Sequence, residues 1–217
     1  MKVEGLGSTR AETFEHGAFS IRILLPESSE ALLDEVEFER DERLPYWSEI
    51  WPSARGLARY LLDLPVLPKR AIELGSGVAL PSLALRHRGV DVIATDYYEA
   101  ALQFARYNAE ANGLSLETEL LDWRHSPDEL GQFPLIIAAD VLYESRNVDA
   151  LAVLLPRLLE PGGVILVGYP GRVYTSDFID RMRDDGWDLK QVAQFSEIAS
   201  AGGDIRTWVQ IYELKRD

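Results

Sequence analysis

Three acids, Glu73, Asp96 and Asp140, each stand at the end of a short apolar run, and the first is followed, after Leu74, by Gly75-Ser76-Gly77. A carboxylate at the carboxyl end of a buried strand can hold a cation or accept from hydroxyls, and glycines in the next turn let backbone approach a ligand closely. Asp96 suits a ribose diol, because one carboxylate can accept from both hydroxyls. Glu73 discriminates between ligands. A dinucleotide would bring a pyrophosphate toward this turn and be repelled by the acid, whereas an ammonium is attracted. The third glycine of a dinucleotide fingerprint is also replaced, by Leu80. The turn is therefore read as a site for S-adenosylmethionine, whose methionine end carries that ammonium. A nicotinamide-dependent oxidoreductase is the disfavoured rival.

The elements that position these acids follow from periodicity. Ala71, Ile72 and Leu74 form a strand, Leu80, Leu83, Ala84 and Leu85 recur at helical spacing, and Val90 to Ala94 form a second strand ending at Asp96. This is a strand-helix-strand unit with a right-handed parallel crossover. A helix over Tyr97 to Ala111 leads to a third strand, Leu116 to Leu121, which stops at Asp122-Trp123. That point lies near the adenine in the expected geometry, so Asp122 or the backbone beside it is placed to meet its amine, and Trp123 either covers its ring or serves as a packing residue. Phe133 to Ala139 is an almost unbroken apolar run, as a central parallel strand demands, and it delivers Asp140 to the edge where transfer chemistry belongs. A helix from about Val148 to Leu159, a strand Val164 to Gly168, a helix Phe178 to Asp185 and strands Trp187 to Phe195 and Ile205 to Leu214 complete the chain.

Ahead of the unit, Ala54, Leu57, Ala58, Leu61 and Leu62 mark a helix begun by Pro52-Ser53, and Tyr46, Trp47 and Trp51 gather three aromatics before it. Such rings either wall a pocket against water and face a cation or staple the helix to the core. Residues 1–17 are polar with several glycines and little periodicity, so the extreme end reads as loose, while Phe19 to Leu25 and Val36 to Arg40 read as strands of a hairpin or lid. The expected division is an N-terminal extension over 1–45 and one cofactor-binding domain over 46–217.

Composition narrows the partners. The 217 residues carry 36 acids against 22 bases, a formal charge of −14, with no basic cluster to neutralise phosphates, so no nucleic-acid partner is expected. An acidic surface suits a basic, lysine-bearing protein or serves solubility. No apolar run has the length to cross a bilayer, so no membrane partner is expected, and a cytoplasmic location follows by default. There is no cysteine, and His16, His87 and His125 lack ligand spacing, so no metal is expected.

The succession ELGSG, TDY, LDW and ADVLY after WPSARGLARYL resembles the seven-β-strand methyltransferases of the protein-lysine type, the methyltransferase 16 family. The resemblance covers roughly Tyr46 to Gly168. It implies an α/β, Rossmann-like class I fold with a seven-stranded sheet of order 3-2-1-4-5-7-6, the last strand antiparallel, helices on both faces and a short N-terminal extension. It implies that Asp140 and Tyr143, the Asp-x-x-Tyr pair, meet the entering amine as catalytic residues. Trp51, Glu73, Gly75, Ser76, Gly77, Asp96, Tyr97, Asp122, Trp123 and Ala139 form the corresponding cofactor set. Relatives that modify adenine or glutamine nitrogens carry Asn-Pro-Pro-Tyr where this chain has Asp140 to Tyr143; a carboxylate there favours a cationic amine. The expected activity is methyl transfer to a protein lysine, with a small-molecule N- or O-methyltransferase or a non-catalytic S-adenosylmethionine-binding module as alternatives. The family usually has Thr-Gly where this chain has Val78-Ala79, and the added methyl of Ala79 is expected to narrow the floor beneath the methionine moiety.

Overall fold

A computed structural model describes residues 2–3, 7–28, 45–125, 130–171, 173–198 and 205–216. The chain opens with β1 (Lys2–Val3), β2 (Gly7–His16) and β3 (Phe19–Pro26), which form a three-stranded antiparallel sheet. Much of the polar, aperiodic stretch ahead of Phe19 is thus a ten-residue strand. It pairs with β3 from His16 opposite Phe19 to Thr9 opposite Pro26. Its only large apolar side chain is Phe14. One such residue is too sparse a signal for period-two reading, and β3 supplies most of the hairpin's apolar face through Phe19, Ile21, Ile23 and Leu25. The strand expected over Val36 to Arg40 lies outside the described residues.

A turn of 3-10 helix at Tyr46–Ser48 precedes α1 (Pro52–Asp63), which is followed by β4 (Arg70–Leu74), α2 (Leu80–His87), β5 (Asp91–Asp96), α3 (Glu99–Ala111) and β6 (Glu117–Leu120). The remainder is β7 (Phe133–Ala139), α4 (Ser145–Leu158), β8 (Leu159–Tyr169), α5 (Val173–Asp184), β9 (Asp188–Ile198) and β10 (Arg206–Lys215). These strands build a seven-stranded sheet of order β6-β5-β4-β7-β8-β10-β9. Counted within the sheet, that is the expected 3-2-1-4-5-7-6, with β10 antiparallel to both neighbours and the first five strands parallel.

Alternate residues of the central strands feed two cores. Ile72, Leu74, Ile136 and Ala138 face α4 and α5 through Leu151, Leu155, Phe178 and Met182. Ala71, Leu135 and Ile137 face the other way, onto Leu57 and Leu61 of α1 and Leu85 of α2. Burial on both sides is why β7 reads as an almost unbroken apolar run. The chain reverses its strand order between β4 and β7, whose ends lie level, Leu74 beside Ala138. A crevice opens at such a switch point, outside the carboxyl ends of the strands.

Candidate active site

The crevice is a cleft of about 220 Å³ that contains the ends of β4, β5 and β7 along with the segment before α1. Gly75 and Gly77 run through left-handed backbone, at φ 67° and 52°. A Cβ on Gly75 would come within 3.0 Å of Val141 Cγ1 and 3.2 Å of Trp123 Cζ2, and one on Gly77 within 3.0 Å of the Trp47 carbonyl oxygen. The turn is therefore pressed against both flanks of the cleft, and only glycine satisfies conformation and space together.

Asp96 lines the cleft and also braces the turn. Its Oδ2 accepts from the Gly77 amide at 2.8 Å and its Oδ1 from the Tyr98 amide at 3.0 Å. Glu73 is 1% exposed and accepts from the Ser82 amide at 3.0 Å and the Ser82 hydroxyl at 2.5 Å. Burial pushes its carboxyl up to about 8, against the pull of the Ser82 hydrogen bonds and with a smaller push from Asp96. Ser76 Oγ is buried in the same wall with no hydrogen-bond partner among the described residues. An orphaned hydroxyl beside an acid that lacks a cation suits the ammonium and carboxylate of an amino-acid tail.

Asp122 and Trp123 form the far side. Asp122 accepts from Arg124 Nη2 at 2.9 Å, from the Arg124 amide and Nε at 3.0 Å and sits 3.2 Å from His125 Nδ1. The Arg124 guanidinium and amide hold its carboxyl well below the usual range. Tyr97 stands exposed at the edge, its ring 5.3 Å from that of Tyr98, and Ala139 closes the tip of β7.

On the opposite side, Asp140 is buried at φ 58°, a conformation that costs an ordinary L-residue ~1–2 kcal/mol and that aspartate tolerates better than most. Its amide donates to the Gly168 carbonyl at 2.9 Å, and Ser53 Oγ reaches its Oδ2 at 3.4 Å. Asn147 Nδ2 donates to the Val141 carbonyl at 2.8 Å and fixes the loop that follows. Tyr143 meets Tyr46 edge to face with centroids 5.1 Å apart, and Tyr46 meets Trp51 likewise at 5.9 Å. Trp51 Nε1 donates to the Tyr46 carbonyl at 2.7 Å. All three aromatics before α1 thus line the cleft, and the ring of Trp47 also packs inward against Phe104 at 5.6 Å.

All twelve residues expected at the site line this one cleft. Ser53 was readable only as a helix start, since its partner Asp140 lies 87 residues away. Glu49, Arg124, Glu144, Arg146 and Asn147 also line it, without a sequence signal of their own. The expectation for Ala79 needs correction. Its methyl is fully buried with Ala94 and Ala105, and Ala79 is absent from the cleft lining, so it leaves the floor unobstructed. Its cost is conformational instead, a φ of 66° at the start of α2. Among the described residues, no group of three or more histidine, aspartate or glutamate side chains is placed to hold a metal ion, and no helix is long and apolar enough to cross a membrane.

Sheet order, switch-point cleft and glycine turn together define a class I, Rossmann-like methyltransferase fold. The tRNA (uracil-54, C5)-methyltransferase of Pyrococcus abyssi, solved with S-adenosyl-L-homocysteine, superposes with a TM-score of 0.59 at 18% identity, covering 95% of this chain and 44% of that one. Residues 34–185 match the lysine methyltransferase family model, and the chain belongs to that family. The rat electron transfer flavoprotein beta subunit lysine methyltransferase is 33% identical over 136 residues, 59% of this chain and 51% of the relative. Human histone-arginine methyltransferase METTL23 is 29% identical over 151 residues, 66% of this chain and 80% of the relative. The chain spans about half the length of the flavoprotein-directed relatives that it matches.

Proposed function

We propose that this protein is an S-adenosylmethionine-dependent methyltransferase that acts on the side-chain amine of a lysine in a protein substrate. The observation that carries the reading is the two-sided cleft. Glu73 and Ser76 offer partners to an amino-acid tail on one side, and buried Asp140 stands with Tyr46, Trp51 and Tyr143 on the other. Family membership and the lysine-directed relatives point the same way.

When bound, S-adenosylmethionine supplies an electrophilic methyl group, which a neutral amine takes as the carbon–sulfur bond breaks and S-adenosylhomocysteine is left. Glu73 and Ser76 would hold the ammonium and carboxylate of the tail, and the Gly75–Gly77 turn gives the backbone room to approach. A lysine with a pKa of ~10.4 must first lose a proton, which costs about 4.6 kcal/mol at pH 7. Asp140 opposes that loss, because an anion favours the charged amine. Its part is therefore to capture and aim the nitrogen, and the proton leaves to water once the rings have desolvated the amine. Tyr143 and its aromatic neighbours face the cation and fix its approach, so positioning carries most of the acceleration. Tyr46, Arg124 and Arg146 stand exposed at the mouth, an opening suited to a side chain borne on a protein surface.

The test is to incubate the purified protein and labelled methyl donor with lysate from a strain that lacks it, then to locate the label by mass spectrometry. Label on lysine side chains of one or a few proteins is expected. Label confined to metabolites, nucleic acid or arginine would overturn the acceptor assignment, and no binding of the donor would overturn the whole reading.

A further inference from the structure

The chemistry above leaves the N-terminal hairpin without a role, and residues 7–26 lie outside the span that matches the family. Two sets of contacts tie that hairpin to the cleft wall. Phe14, Phe19, Ile21, Ile23 and Leu25 pack in one cluster with Trp47 and Ile50. On its polar side, Arg10 bonds both Glu12 and Glu49, and Arg55 of α1 bonds Glu12. The result is a chain of charges, Arg55 to Glu12 to Arg10 to Glu49, that ends on a residue lining the cleft between Tyr46 and Trp51 in sequence. Arg10, Glu12 and Arg55 are only 25%, 16% and 17% exposed, so their pairs are less screened than ordinary surface pairs, while Glu49, at 42%, carries the end of the chain of charges toward solvent.

We propose that the hairpin is a positioning element of the active site, in which Arg10 acts through Glu49 to hold residues 46–51 as the wall of the cleft. Within the wall, Trp51 Nε1 donates to the Tyr46 carbonyl and Ser48 Oγ to the Pro45 carbonyl, and the backbone is extended at Glu49, where the Arg10 pair ties the segment to the hairpin. The hairpin thereby sets where Tyr46 and Trp51 stand relative to Asp140, and so which acceptors fit.

Two readouts on the whole protein test this, amide hydrogen exchange of residues 46–51 and the Kd for S-adenosylhomocysteine by calorimetry. In Arg10→Gln, exchange in 46–51 should quicken by about 5-fold, the equivalent of losing a ~1 kcal/mol ion pair. The Kd should rise about 3- to 10-fold, while exchange in β4 and β7 and the melting temperature stay as they were. Glu49→Gln should do the same, the double variant should be no worse than either single one, and Arg10→Lys should recover most of the loss. Unchanged exchange in 46–51, additive effects of the two substitutions, or a fall in melting temperature with exchange raised throughout would each overturn the proposal. The cofactor reading stands apart from it: a wild-type protein that binds no S-adenosylhomocysteine would sink that reading, and the exchange data would still decide the role of the hairpin.

Discussion

The two sides of the cleft are built on different plans. On the side of Glu73 and the glycine turn, partners are backbone amides and hydroxyls contributed from within a single strand-helix-strand unit, Ser82 to Glu73 and Gly77 to Asp96. On the side of Asp140, the wall is assembled from residues far apart in the chain, with Ser53, Tyr46 and Trp51 brought to the tip of β7 by the packing of α1 and the hairpin. The first plan gives a rigid seat for a constant ligand. The second draws the acceptor wall from several elements, and that wall meets the seat where the Trp47 carbonyl and Val141 press on Gly77 and Gly75.

If that division is real, substitutions on the two sides should separate binding from turnover. The largest effect is expected from Asp140→Asn, which keeps the side-chain shape and tolerates the left-handed backbone while removing the charge. Turnover should fall about 100-fold or more, in the range for loss of a group aimed at the reacting centre, with the Kd for S-adenosylhomocysteine changed by less than about 2-fold. Normal turnover in this variant would dissolve the comparison.

Glu73 sharpens it from the other side. Its folded carboxyl titrates near 8, above the ordinary value of 4.5, so the ligand-free protein keeps a proton that the unfolded chain has released. Stability must then fall as pH rises from about 4.5 to about 8 and be unaffected below that window, a loss bounded by about 5 kcal/mol. A cationic tail reverses the preference, so calorimetry in buffers of different ionisation heat should show close to one proton released on cofactor binding at pH 7. Glu73→Gln should abolish that release, flatten the decline in stability and weaken the cofactor about 10-fold at pH 8. Proton release that persists in the variant would move the coupling to another group.

How far these residues were legible depends on how far their partners lie along the chain. The glycine turn and Asp96 were readable because each follows from the pattern within one unit, the order of the sheet came with the family resemblance, and β7 announced itself as a nearly unbroken apolar run. The β2 strand was missed because one buried phenylalanine in ten residues gives no period, and its pairing is supplied by β3. The start of α4 at Ser145, ahead of the expected Val148, escaped because its first turn is polar and no side-chain cap marks it. Asp122 or the backbone beside it is expected to meet the adenine amine, and the hold of Arg124 on the Asp122 carboxylate, two residues on, is a local contact that a search for ligand partners passes over. The pairing of Ser53 with Asp140 had no sequence signal at all.

A middle-sized effect separates ring from hydroxyl at Tyr143. Cation attraction by an aromatic face is worth about 1–2 kcal/mol in a desolvated site, so Tyr143→Leu should raise the KM for a lysine acceptor about 5- to 30-fold. Tyr143→Phe should keep most of the wild-type value if the face does the holding. A loss in Tyr143→Phe equal to that in Tyr143→Leu would assign the role to the hydroxyl.

The smallest effect is expected at Ala79, which tests whether the seat is as indifferent to this departure from the family pattern as its geometry implies. Removing the methyl by Ala79→Gly relieves a left-handed conformation worth ~1–2 kcal/mol. It also costs the unfolded-state entropy of glycine, ~0.4–1 kcal/mol, and the packing of one buried methyl on Ala94 and Ala105, about 0.8 kcal/mol. These contributions nearly cancel, so the melting temperature should move by only a degree or two. Because the methyl lies outside the cleft lining, the Kd for S-adenosylhomocysteine should stay within about 2-fold of wild type. A tightening of 10-fold would show that the methyl does reach the ligand, by shifting the Gly75–Gly77 turn through the Ala79 amide, which donates to the Ser76 carbonyl at 2.8 Å.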